Sequence, residues 1–149
     1  MARIFWAANA QSHDFEGRIT AAKAGGYEAI SLFPFDVRNF REAGLEYTTM
    51  RARLADAQLR VEVIDPFARW LPGREPPATW TAAERAFTDF DEDAVFEMAL
   101  ELRARCINLV EPFGAPVGVD VGGTCFARVC DRARPLGLVV LLEAMPFSG

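Results

Sequence analysis

Along this chain, short apolar runs alternate with longer stretches whose apolar residues recur at helical spacing. Ile4 to Ala8 is unbroken enough to predict a buried strand, and Asp14 to Ala24 then carries Phe15, Ile19 and Ala22 on one helical face. Gly25-Gly26 stops that helix, and Ala29 to Phe33 predicts the second strand. Leu45, Met50, Leu54 and Ala57 form the apolar stripe of a helix over 45–59. The β-branched residues Val61, Val63 and Ile64 then mark a third strand over 60–65. A long connection runs from Pro66 to about Asp89. It is rich in Pro and Gly, but Phe67, Trp70 and Trp80 within it predict an ordered, packed lid. The helix over 89–105 has acids to cap and charge its start and Arg103 and Arg105 at its end. Cys106 to Val110 reads as strand four, 122–134 as a helix ended by Pro135 and Gly137, and Leu138 to Glu143 as strand five.

The resulting order, β-α-β-α-β-α-β-α-β, with strands apolar on both faces, predicts an α/β protein. Its sheet is parallel, covered by helices and joined by right-handed crossovers. No linker or boundary divides residues 1–149, so one domain is expected. Two closures suit this order. One is an open, doubly wound flavodoxin-like sheet; the other is the front half, about five strands and four helices, of a TIM-barrel-type fold, which normally takes about 250 residues. Motifs of the open folds fail. A response regulator needs acids after strand one and a lysine after strand five. Asp65 matches its phosphorylation position, but strand one is followed by Asn9-Ala10-Gln11, and Lys23 is the only lysine. Asn9 to His13 is no phosphate loop, and the glycines of 118–123 lack dinucleotide-binding spacing.

Composition narrows the function. The net charge is −5 and the arginines are scattered among acids, which argues against a nucleic-acid partner because phosphate contacts supply most non-specific affinity. The N-terminus lacks the features of a signal peptide and no apolar run reaches about 18 residues, so a cytoplasmic protein with no membrane partner is expected. Cys106, Cys125 and Cys130 read as reduced core thiols rather than a disulfide framework or a metal site.

Four phrases, taken in order, carry a family likeness. Gly25-Gly26-Tyr27-Glu28-Ala29-Ile30 leads into strand two, a long loop follows strand three, and a helix ends in Leu102-Arg103-Ala104-Arg105-Cys106. The last is Val140-Leu141-Leu142-Glu143-Ala144-Met145-Pro146-Phe147. In this order the chain resembles the sugar phosphate isomerase/epimerase family, the xylose-isomerase-like TIM barrels, over the front half of their barrel. The resemblance implies a divalent ion (Mn²⁺, Mg²⁺ or Zn²⁺) that holds two oxygens of a hydroxy-carbonyl sugar or sugar phosphate while carboxylates move a proton. It makes Glu143 the strand-five metal ligand and the leading catalytic candidate. The family's remaining ligands, on strands six to eight, would fall beyond Gly149. The metal is therefore expected not to be held by this chain alone, as in a fragment, a truncated gene product or a half-barrel that pairs with another chain.

Other residues are placed by the predicted strands at the same C-terminal rim, where barrel active sites lie. Asn9 and His13 follow strand one, Asp65 ends strand three, Trp70 lies in the lid, and Glu111 follows strand four; each is a candidate substrate-binding group. Trp6, Phe33, Phe35, Phe67, Trp70, Phe113 and Phe147 are candidates for a pocket wall. The leading reading is a metal-dependent isomerase or epimerase. The alternative is a catalytically inactive half-barrel that serves as a binding or interaction module. Unpaired strand edges and an open inner face predict a homo-oligomer.

Overall fold

The computed structural model describes residues 3–73, 76–111 and 117–144. Five strands lie side by side in chain order: β1 (Ile4–Phe5), β2 (Ala29–Leu32), β3 (Arg60–Phe67), β4 (Cys106–Val110) and β5 (Val139–Glu143). Every neighbouring pair is parallel. This sequential order belongs to a barrel wall; a doubly wound sheet reverses direction at a switch point, so the flavodoxin-like alternative is excluded. The helices are α1 (Phe15–Ala24), α2 (Pro34–Glu42), α3 (Tyr47–Asp56), α4 (Ala82–Arg85), α5 (Glu92–Glu101) and α6 (Val119–Ala133).

Helix α2 and the short α4 are additions to the four helices expected. Helix α2 turns Val37 and Phe40 to the core and starts on a local device. Pro34 sits at its first position, where a missing N–H costs nothing, and Asp36 Oδ2 accepts the Phe33 backbone N–H at 3.3 Å. Helix α4 is set by a capping box within the long connection. Thr81 Oγ1 accepts from Glu84 N at 3.3 Å, and Glu84 Oε2 accepts from Thr81 N at 2.7 Å.

Strand β1 is only two residues long, because a 3₁₀ turn over Ala7–Ala10 replaces the rest of the expected run. Ala7 N–H donates to Ser31 Oγ at 2.8 Å, which ties that turn to β2. Helix α1 is capped by Asp14, whose Oδ1 accepts Gly17 N–H at 2.8 Å. It ends where Gly26 takes φ +65° and Tyr27 N–H reaches back to Ala22 O at 2.9 Å. That reversal, for which glycine is suited, feeds β2 and gives the Gly25-Gly26-Tyr27 phrase a structural role.

The core lies between sheet and helices. Ile30, Leu32, Val61, Ile64, Phe67, Ile107 and Leu109 meet Val37, Met50, Val95, Phe96 and Val129, all buried. The opposite sheet face follows the two-residue period of a strand: Ser31 pairs with Val63, Val63 with Cys106, and Cys106 and Asn108 with Val139 and Leu141. At β5 both faces are poorly covered, with Val139, Leu141 and Leu142 exposed at 44%, 39% and 53%. Among the described residues no helix is long and apolar enough to cross a membrane. The three cysteines are free thiols.

Candidate active site

The site begins with an irregularity in β3. Ile64 pairs with Ile107 and Phe67 with Leu109, so Asp65 and Pro66 stand against Asn108 alone. Pro66 has no N–H to give the ladder, and such a bulge re-aims the neighbouring side chain. Asp65, 5% exposed, turns to Asn108 on β4, also 5% exposed. Asn108 Nδ2 donates to Asp65 Oδ1 at 2.6 Å and to Glu143 Oε2 on β5 at 2.8 Å. One amide nitrogen thus joins carboxylates from the strands on either side of it. Burial pushes the Asp65 carboxyl up to about 6; the Asn108 hydrogen bond opposes that rise and the charge of Glu143 adds to it.

These groups open onto a cavity of about 380 Å³, lined by Trp6, Phe33, Asp65, Pro66, Ala68, Trp80, Glu84, Phe87, Val110 and Glu143. Its aromatic wall is fastened from behind. Phe87 makes edge contacts with Phe33 and Phe35, at centroid separations of 5.3 and 4.8 Å. The backbone of Phe33 is held by Asp36, which itself takes a two-pronged, buried hydrogen-bond pair from Arg18 at 2.5 and 2.7 Å. Glu84 faces the cavity from α4, and its hydrogen bonds from Thr81 hold its carboxyl below the usual range.

The candidate residues separate clearly. Glu143 and Asp65 come together, and Trp6 and Phe33 do line the cavity. Asn9 is exposed on the 3₁₀ turn and His13 is exposed beside α1, with Ser12 Oγ 3.3 Å from its Nδ1. Neither lines the cavity. Trp70 is buried behind it, donating Nε1–H to Val110 O at 2.9 Å and meeting Phe126 edge-on, so it braces the lid against β4. Glu111 is half-buried at the end of β4. Phe67 belongs to the core, while Phe113 and Phe147 lie outside the described residues. The reading from sequence missed Asn108, Glu84 and Phe87. Asn108 left one signal, a polar residue in the middle of an otherwise apolar strand, and Glu84 another, the Thr81-x-x-Glu84 spacing of a capping box.

Oxygen donors of this kind suit hard divalent ions such as Mg²⁺ or Mn²⁺. Among the described residues no three His, Cys, Asp or Glu side chains are grouped to enclose an ion. Asp65 and Glu143 alone do not complete such a site.

No family model matches the chain, and no curated protein does. Solved structures do. A xylose isomerase domain protein from Salmonella typhimurium superposes with a TM-score of 0.75 at 15% identity, over 98% of this chain and 50% of that one. The fold is half of a TIM barrel. Two further structures agree. The IolI protein, solved with a bound zinc atom, gives 0.70 at 11% identity over 96% and 51% of the two chains. A D-psicose 3-epimerase, solved in the presence of D-fructose, gives 0.66 at 18% identity over 97% and 53%. The chain spans about half the length of these structures. In such a half-barrel Asp65 and Glu143 stand toward the C-terminal strand ends, the rim where this architecture gathers its chemistry, with Asn108 joining them from mid-strand.

Proposed function

We propose that this half-barrel supplies one side of a divalent-metal-dependent isomerase or epimerase site acting on a hydroxy-carbonyl sugar or sugar phosphate. The observation that carries this reading is the position of Glu143. It ends β5 with one carboxylate oxygen held by a buried amide, at the mouth of an aromatic-walled cavity that also contains Asp65. A bound metal would polarise the substrate carbonyl and stabilise the enediolate that forms when the neighbouring carbon loses its proton. Glu143 is the ligand this chain offers, with Mn²⁺, Mg²⁺ or Zn²⁺ as the candidate ions and the other ligands supplied by the strands that complete the barrel. Asp65, with a carboxyl pushed up to about 6, suits proton exchange near neutral pH. Trp6, Phe33, Trp80 and Phe87 offer flat apolar faces to the C–H face of a sugar ring.

A second reading rests on an observation of its own: the described residues do not enclose a metal. In that case the half-barrel binds a small polar ligand without turning it over.

Deuterium wash-in separates the two. The purified chain is incubated in D₂O with Mn²⁺ and a panel of ketoses, aldoses and their phosphates. Isomerase or epimerase chemistry places deuterium on the carbon next to the carbonyl, and Glu143→Gln abolishes it. Saturable sugar binding with no deuterium uptake supports the binding module. An outcome of neither binding nor exchange rejects the binding module and a catalytic site completed between copies of this chain.

A further inference from the structure

Glu143 lies on the outermost strand and its residue is largely exposed, so its long side chain has several rotatable bonds and little packing to fix them. A carboxylate that must meet a metal or a substrate proton needs its orientation set in advance, to within a fraction of an ångström. The structure contains a device for this in a residue with no other evident task. Asn108 sits at the centre of β4, 5% exposed, with Leu141 of β5 opposite it in register. Its amide nitrogen has two protons and meets two carboxylate oxygens, Asp65 Oδ1 at 2.6 Å and Glu143 Oε2 at 2.8 Å. Chemistry fixes which end of the amide points there, since the reversed amide would set a carbonyl oxygen against two carboxylates. Among the described residues Glu143 Oε1 takes no hydrogen bond, while Glu143 lines the cavity.

We propose that Asn108 is a positioning residue that aims Glu143. It grips Oε2 from the buried side, is itself anchored by Asp65, and leaves Oε1 for the ligand or proton that the site handles. This inference rests on the proposed role of Glu143, and it assigns the orienting function to an asparagine in the interior of the sheet. Hydrogen-bonded partners behind a metal-ligating carboxylate tune its geometry and basicity, and their loss weakens metal binding without removing a ligand. Asp65 anchors the amide because a buried carboxylate needs a donor of its own, so each group satisfies the other.

The first test needs no metal. In the ¹⁵N-labelled chain, the Asn108 side-chain NH₂ signals are assigned by their absence in Asn108→Leu. If Asn108 holds both carboxylates, its two protons exchange with solvent about tenfold or more slowly than those of the exposed Asn9 and Asn39. In Glu143→Ala one of the two loses that protection while the other keeps it. Exchange as fast as at Asn9, or no response to Glu143→Ala, overturns the proposal. If Asn108→Leu does not fold, the assignment is made by through-bond correlation and this test stands unchanged.

The second test is Mn²⁺ affinity. Asn108→Leu is expected to weaken it by about tenfold to a hundredfold, a loss typical of removing a hydrogen-bond partner behind a ligand. A wild-type chain that binds Mn²⁺ and a folded Asn108→Leu that binds it equally well overturn the proposal. A protected, Glu143-dependent amide in a chain that binds no Mn²⁺ supports the positioning role and removes only a metal site completed between copies of this chain. The two failures are thus distinguishable.

Discussion

Asp65 on β3 and Glu143 on β5 share one hydrogen-bond donor, Asn108 Nδ2, although a whole strand separates them in the sheet. The consequence falls on Asp65, the more buried of the two. Its carboxyl is raised from 3.8 to about 6, first by desolvation and then by the charge of Glu143, against the pull of the Asn108 hydrogen bond. A carboxyl raised in the folded state binds more protons there than in the unfolded chain. Its stabilising contribution is therefore complete below pH 3.8 and lost as pH rises through about 6. The amount is on the order of 2 to 3 kcal/mol. Asp65→Asn keeps an acceptor for Asn108 and removes the titration. The variant is expected to lose the part of the pH slope between about 4 and 6 and to be more stable than wild type at pH 8. Urea unfolding across that range checks it; identical slopes in the two proteins would show that Asp65 titrates normally.

Glu143→Gln is expected to separate function from stability. The residue is exposed and the amide still offers an oxygen to Asn108, so unfolding should shift by no more than about 0.5 kcal/mol. Mn²⁺ binding should fall at least about tenfold, as for a ligand whose charge is removed. Calorimetry on the same two samples reads both quantities.

Arg18 and Asp36 form a buried two-pronged ion pair that also holds the backbone of Phe33, a wall of the cavity. Breaking such a pair leaves one charge buried without its partner, at a cost of about 3 to 5 kcal/mol. Asp36→Ala should show that loss in chemical denaturation. Arg18→Met with Asp36→Leu, which removes both charges, should recover much of it. Ligand binding at the cavity should weaken in the single variant as Phe33 loses its anchor. Equal losses in the single and double variants would count against an uncompensated charge as the cause.

The exposed Val139, Leu141 and Leu142 of β5, with the proposal that strands from elsewhere complete the barrel, lead us to expect self-association. Sedimentation velocity at low micromolar concentration should show a dimer or larger species, and Leu141→Lys with Leu142→Lys should shift it to monomer. A wild-type chain that sediments as a monomer would remove the homo-oligomer expectation.

What the sequence determined by itself is the architecture. The alternation of apolar runs with helix-period segments is a local pattern, and it led to five parallel strands in a β/α repeat, with each strand placed within a few residues. An acid cap at the start of the 89–105 helix, which the structure places at Asp91, and the stop at Gly25-Gly26 were legible for the same reason, because their hydrogen bonds close within a few positions of the chain. Helix α2 was not read, although Phe33, Val37 and Phe40 stand at helical spacing and pack on the core, because it is short and follows β2 directly.

The site was legible only in part. Glu143, Asp65, Trp6 and Phe33 stood out as strand-end residues, and all four reach the cavity. His13 and Trp70 both lie in loops that follow strands, but one faces solvent and the other braces the lid. Only the tertiary structure decided that difference, and only it revealed Asn108. Which side chains meet across a sheet depends on the register between strands and on a bulge at Asp65–Pro66 that turns one carboxylate toward its neighbour. Residues 65, 108 and 143 are 43 and 35 positions apart, and no local period relates positions so distant in the chain.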